Sequence, residues 1–199
     1  MRRLVVILII LVSASSSATG GGYTGSIQLA YGQHFTGKMI APTYFPTVEF
    51  RFGLDVSRNF NMRLDLGMGY AKITESDRPS FEGADYMNGN FSLVFLYTPE
   101  VSESLRFNLG GALGLWFTAM WGDHDLLGNV SGSMTKYLER LSVSYAAVAG
   151  AEWSVSDRWA LFFELRGNMA MVKYGQEYNA GGISVLAGFL YRVKPYDPL

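Results

Sequence analysis

The sequence predicts an all-β protein: an eight-stranded antiparallel up-and-down transmembrane β-barrel, preceded by a cleavable signal peptide. Three observations lead there. Large apolar residues recur with period two in eight segments, the connections between the segments alternate between short and long, and the composition is poor in charge. Charged residues make up 17% of the 199-residue chain and aromatics 15%, with 23 glycines. An ordinary soluble domain carries about 25% charge. A disordered chain is excluded, because it would lack the apolar residues that are plentiful here. No apolar run reaches the ~20 residues that a membrane helix needs. A net charge of -1 leaves no basic field to recruit nucleic acid. The absence of cysteine excludes disulfides, thiolate metal sites and a cysteine lipid anchor.

The first eighteen residues read as an export address. Met1-Arg2-Arg3 is basic, Leu4 to Val12 is apolar, and Ser13 to Ala18 is small, with Ser16 and Ala18 placed as the pair before a cleavage site. Thr19-Gly20-Gly21-Gly22 follows without a stop-transfer pattern. The reading is therefore a signal peptide over 1–18 and a barrel over 19–199.

Alternation marks a strand whose two faces meet different environments. The first segment, 26–35, carries Ile27, Leu29, Tyr31 and Phe35 on its large apolar face. The second, 47–56, carries Val48, Phe50, Phe52, Leu54 and Val56. The third, 62–71, carries Met62, Leu64, Leu66, Met68 and Tyr70, and the fourth, 88–97, carries Phe91, Leu93, Phe95 and Tyr97. The fifth, 105–118, runs from Leu105 through Phe107, Leu109, Leu113 and Leu115 to Phe117. The sixth, 141–155, includes Leu141, Val143, Tyr145, Trp153 and Val155. The seventh, 159–169, carries Trp159, Leu161, Phe163, Leu165 and Met169, and the eighth, 182–193, carries Ile183, Val185, Phe189, Tyr191 and Val193. Most reach the ~9–11 residues that a tilted strand needs to cross a bilayer.

The connections 57–61, 99–104 and 156–158 are short and hold turn formers such as Asn59, Pro99 and Asp157. Those at 36–46, 72–87, 119–140 and 170–181 are long. Short turns at one end and long loops at the other are the pattern of an outer-membrane barrel.

Alternation alone leaves the direction of the apolar face open, and a lipocalin turns that face inward. Volume decides. An eight-stranded barrel has an interior just wide enough for side chains, and so many large residues cannot share it. The opposite face offers Ala30, Gly32, Gly53, Gly67, Gly69, Gly110, Ala112, Gly114, Ala146, Gly150 and Gly188. It also carries ten charges: Glu49, Arg51, Asp55, Arg63, Asp65, Arg106, Glu152, Glu164, Arg166 and Arg192. Buried charges must be paired or they cost several kcal/mol each. Five acids and five arginines on one face suit a mutually satisfied lumen, and arginine suits bidentate pairing. The balance points to a salt-bridged plug in place of an apolar core; an ion path or proton relay is the competing reading.

Aromatics near strand ends suit the two bilayer interfaces. Phe60, Tyr97, Trp153, Trp159 and Tyr191 fall towards the short turns; Tyr31, Phe35, Tyr70 and Phe117 fall towards the long loops.

With these residues assigned, the chain resembles the bacterial outer-membrane β-barrel family of OmpA-like transmembrane domains and OmpX-like small barrels. The resemblance covers nearly the whole mature chain and rests on pattern. Its most recognisable piece is the Gly-rich last strand, Gly181 to Val193, which is similar to a terminal strand that ends in Tyr-Arg-Phe; Val193 stands in the place of the terminal aromatic. The resemblance implies an outer-membrane location, assembly by the barrel machinery, and contact with outer-membrane lipids and lipopolysaccharide. It implies no single activity.

Candidate chemistry is sparse. His124 lies within Asp123-His124-Asp125, which has ligand types for a metal but lacks converging partners, so a solvated loop tip is expected and no metal. Lipid A deacylases are eight-stranded barrels with a Ser-His-acid site, and a His-x-Ser pair is the feature to seek. His34 is followed by Thr36 and His124 by Leu126, so the local match fails; a triad drawn from separate strands, such as His34 with a serine and Glu49, stays open. Lys136 and Arg140 offer cations for lipopolysaccharide phosphates, offset by Glu139. No phosphate-loop or nucleotide fingerprint is present. No cofactor is expected. The expected function is a structural or surface-interaction role through the long loops, with a narrow pore and a lipid A-modifying enzyme as alternatives.

Overall fold

A computed structural model describes residues 25–36, 44–72, 85–121, 140–174, 176–179 and 181–193. The expected signal peptide and the Asp123-His124-Asp125, Lys136 and Glu139 positions lie outside these residues. Ten strands follow in order: β1 (Gly25–Thr36), β2 (Tyr44–Ser57), β3 (Phe60–Lys72), β4 (Asp85–Tyr97), β5 (Glu100–Ser102), β6 (Leu105–Trp121), β7 (Arg140–Ser154), β8 (Trp159–Tyr174), β9 (Gln176–Asn179) and β10 (Gly182–Arg192).

Eight of them form the barrel wall, in the order β1-β2-β3-β4-β6-β7-β8-β10, each antiparallel to its neighbours. β10 pairs β8 on one side and β1 on the other, from Ser26↔Arg192 to Thr36↔Gly182, which closes the ring. Closure matters because an open edge cannot be satisfied in hydrocarbon. The seam is completed beyond the ladder, where the Val193 amide donates to the Gly25 carbonyl at 2.8 Å and the Arg192 amide to the Arg158 carbonyl at 2.8 Å.

Two stretches read as connections turn out to be paired. β5 is a short strand on β6, and β8 continues past 169 to pair with β9 from Met171↔Asn179 to Tyr174↔Gln176. The backbone ladder needs no period-two signal, so pairing extends past the alternating segments. β2 likewise starts at Tyr44, pairing through Pro46 opposite Gln33; a proline removes only one ladder donor.

The two faces of the wall have exchanged the usual solvents. Outward residues include Phe50, Leu113, Tyr145, Phe163 and Phe189, all at least half exposed. A continuous apolar exterior of this extent suits hydrocarbon, since a soluble monomer rarely exposes such patches above a few hundred Å². The inward face buries Arg51, Arg166 and Arg192 almost completely. Barrel wall and ion-paired interior thus replace the ordinary arrangement of polar shell and apolar core.

Candidate functional site: the lumen

The inward residues form three layers, and the register explains each. In the middle layer, Glu49 and Arg51, Arg63 and Asp65, and Glu164 and Arg166 stand two apart on β2, β3 and β8. Spacing of two puts both members of each pair on one face. Arg51 donates to Glu49 at 2.8 Å and, across the lumen, to Glu164 at 3.0 Å. Arg63 grips Asp65 with two hydrogen bonds of 2.7 and 3.0 Å and reaches Glu164 at 2.8 Å. Arg166 donates to Asp65 at 2.6 Å and to Glu164 at 2.8 Å, and lies 3.3 Å from Glu49. Three arginines meet three carboxylates, so the layer is neutral. Glu164 is its hub, with a contact to each arginine. The Arg51 guanidinium also sits 4.9 Å from the centroid of Phe162, a stacking contact that arginine makes with aromatic faces.

The layer at the short-turn end holds the remaining charges. Arg192 on β10 bonds Glu152 and reaches Ser154 Oγ at 3.2 Å. Arg106 lies 3.8 Å from Asp55 and 3.3 Å from Glu100, and Asn61 donates to Asp55 at 2.9 Å. Glu100 also accepts from Arg58 at 3.2 Å. The pair Arg58–Glu100 was not among the ten expected lumen charges. Both residues lie outside the alternating segments, in turn sequence, and only the pairing of β5 with β6 brings Glu100 to the mouth.

The layer at the long-connection end is aromatic. His34, Phe45, Tyr86 and Trp116 are almost completely buried. The His34 ring lies 4.9 Å from Phe45 and 5.3 Å from Trp116, and Phe45 lies 5.5 Å from Tyr86. Gly69 makes this possible: a Cβ there would stand 2.6 Å from the Phe45 ring. These rings share the inward face with the small and charged residues read from the sequence. Leu96, Phe162, Leu186 and Leu190 are inward and buried as well.

His34 meets a serine, but no triad forms. Its Nδ1 lies 2.7 Å from Ser184 Oγ, which also accepts from Asn168 Nδ2 at 2.9 Å. The carboxylate that the sequence left open as a third member, Glu49, is held instead by Arg51 and Arg166. His34 Nε2 has no hydrogen-bond partner among the described residues.

The candidate interface aromatics Tyr31, Tyr70, Tyr97, Phe117, Trp153, Trp159 and Tyr191 all stand on the outward parity of their strands. Tyr97, Trp153, Trp159 and Tyr191 lie at strand ends beside the short turns, and the Trp159 and Tyr191 rings pack at 4.9 Å. Tyr70 lies near the long-connection end of β3, where its hydroxyl donates to Asp85 at 2.6 Å. Tyr31 differs: it falls near the middle of β1.

The closed antiparallel ring of eight strands has counterparts among solved structures. The fold is that of an eight-stranded outer-membrane barrel. Neisserial surface protein A superposes with a TM-score of 0.60 at 13% identity, over 86% of this chain and 97% of that one. A major outer membrane protein from Thermus thermophilus gives 0.56 at 12% identity, over 86% and 100%. The outer membrane protein OprG from Pseudomonas aeruginosa gives 0.53 at 11% identity, over 85% and 95%. No protein-family model and no curated protein matches the sequence. At these identities the likeness concerns the fold, and the residues of the lumen are this chain's own.

Proposed function

We propose that the protein is an integral outer-membrane barrel whose lumen is a closed structural plug and whose long connections carry a surface-interaction role. The observation that supports this most is the middle layer. Six charged side chains fill the barrel's waist and pair with one another, Glu164 meeting Arg51 and Arg63 across the lumen and Arg166 along its own strand. A conducting lumen would need charges whose partners are water or ions in transit, and paired charges in a narrow barrel block passage instead. The long connections 37–43, 73–84 and 122–139 all leave the same end of the ring, opposite the turns at 58–59, 103–104 and 155–158. An exported chain with both described ends on the short-turn side presents those connections outward. The apolar belt would then meet outer-membrane lipid, with lipopolysaccharide at the long-connection rim, and β10 would be the strand engaged by the assembly machinery.

Trypsin applied to intact cells tests the orientation. Cleavage should occur at Lys38 or Lys136 while the strands survive as protected fragments. Cleavage only after the outer membrane is broken would overturn the reading.

A further inference from the structure

We infer that the short-turn half of the lumen is a blind vestibule, a binding site for neutral hydrogen-bonding guests of about water's size, entered from the short-turn side alone. The inference rests on the closed-plug reading. A cavity of about 20 Å³ lies between the middle layer and the short-turn mouth, and one water needs roughly 10–15 Å³ on this measure. Its wall includes Asp55, Asn61, Arg63, Thr98, Arg106 and Arg192. Seven of the eight barrel strands contribute to the wall, each through residues near its short-turn end.

Among the polar atoms of that wall, Asn61 Oδ1 and Thr98 Oγ1 are buried and have no hydrogen-bond partner among the described residues. The orientation of the Asn61 amide is set, because its Nδ2 donates to Asp55 at 2.9 Å. Its Oδ1 therefore requires a donor. Thr98 Oγ1 can donate or accept. A guest must serve both kinds of group.

Charge selects a neutral guest. The short-turn layer sets Arg58, Arg106 and Arg192 against Asp55, Glu100 and Glu152, and Arg63 is already bound to Asp65 and Glu164. Both layers balance, so an ion of either sign would enter a poorly solvated space without a counter-charge. Water donates to Asn61, accepts from Thr98 and adds no charge.

Glycine keeps the space open. A Cβ on Gly53 would collide with Ser26 Oγ and stand 3.4 Å from Asn61 Nδ2 and 3.6 Å from Gln28 Nε2, all lining residues. On the far side the path ends. Arg63 belongs to the middle layer, and beyond that layer stand His34, Phe45 and Trp116.

The chain has no cysteine, so single thiols can be placed on either side of the middle layer. Thr98→Cys and Thr47→Cys start from matched burial, at 4% and 5% exposure. In the folded, detergent-solubilised barrel, hydrogen peroxide, a neutral oxidant close to water in size, should convert the Thr98→Cys thiol to its sulfenic acid on the order of tenfold faster than the Thr47→Cys thiol, since access governs the rate at comparable thiols. Adding Gly53→Ala to Thr98→Cys should remove most of that advantage while the barrel stays folded by its heat-modifiable mobility. Slow reaction at both positions would overturn the vestibule and leave the plug standing. Fast reaction at both would overturn the plug itself. A Thr98→Cys rate unmoved by Gly53→Ala would also overturn the inference. If either thiol variant fails to fold, water-to-side-chain cross-relaxation by NMR decides: exchange peaks at the Asn61 and Gln28 amides support the vestibule, and their absence overturns it.

Discussion

Phe163 and Glu164 are neighbours in sequence and occupy opposite worlds. Phe163 is 54% exposed on the barrel's outer wall, and Glu164 is 1% exposed at the hub of three arginines. A residue's chemistry here predicts its environment in the reverse of the soluble order. The lesson is that parity along the strand, rather than hydrophobicity, assigns the side. Each strand is a switch between hydrocarbon and an ion-paired interior, thrown at every residue.

The comparison breaks hardest at Glu164. Glu164→Ala leaves Arg51, Arg63 and Arg166 sharing two carboxylates in a buried layer. It should cost ~3–5 kcal/mol, the usual penalty for stripping one partner from a buried charge pair, read by urea unfolding in lipid vesicles. A loss below ~1 kcal/mol would mean that the layer is well hydrated.

Next comes its neighbour. Phe163→Arg should cost ~2–4 kcal/mol if the position faces mid-bilayer lipid, whereas Phe163→Leu should cost less than ~1.5. Leu64→Arg should behave as Phe163→Arg does. Tolerance of both arginines would reverse the assignment of the faces.

The aromatic layer gives a smaller effect. Ser184→Ala removes the partner of His34 Nδ1 and of Asn168 Nδ2. Its cost should be ~1–3 kcal/mol, the penalty for buried polar groups left unsatisfied. The same substitution should change no hydrolytic activity towards lipopolysaccharide, because no carboxylate completes a triad there. Release of fatty acid that depends on Ser184 would contradict this.

The smallest effect belongs to the mouth. The Arg58 side chain is 61% exposed, 3.2 Å from Glu100. Arg58→Ala should cost ~1 kcal/mol or less, and 1 M salt should abolish the difference by screening. The Glu164→Ala penalty should persist at the same salt, which separates the buried layer from the exposed pair.

Much of this was legible because parity is legible. All ten expected lumen charges share the inward parity, and the strands of the fold carry the alternation that marks them. Counting by twos also reaches the aromatic layer. From Arg51 it passes Glu49 and Thr47 to Phe45, and from Ser92 it passes Asn90 and Asn88 to Tyr86. Those rings escape a reading that starts the segments at 47 and 88, where the outward apolar signal begins. Pairing persists further, to Tyr44 and Asp85, where strands leave the belt. Trp116 and Phe162 had the right parity, but volume arguments favour small residues in a narrow lumen, and Gly69 shows how the room is made locally. Partner choice was not legible at all. That Glu164 meets Arg51 and Arg63 depends on β8 facing β2 and β3 across the ring, a matter of closure rather than of sequence spacing.

Electrical conductance across a planar lipid bilayer tests the closed lumen most directly. The purified wild-type barrel should insert without a steady single-channel current, while Glu164→Ala, with the middle layer unbalanced, should show intermittent openings. A steady ohmic current from the wild-type protein would contradict the account.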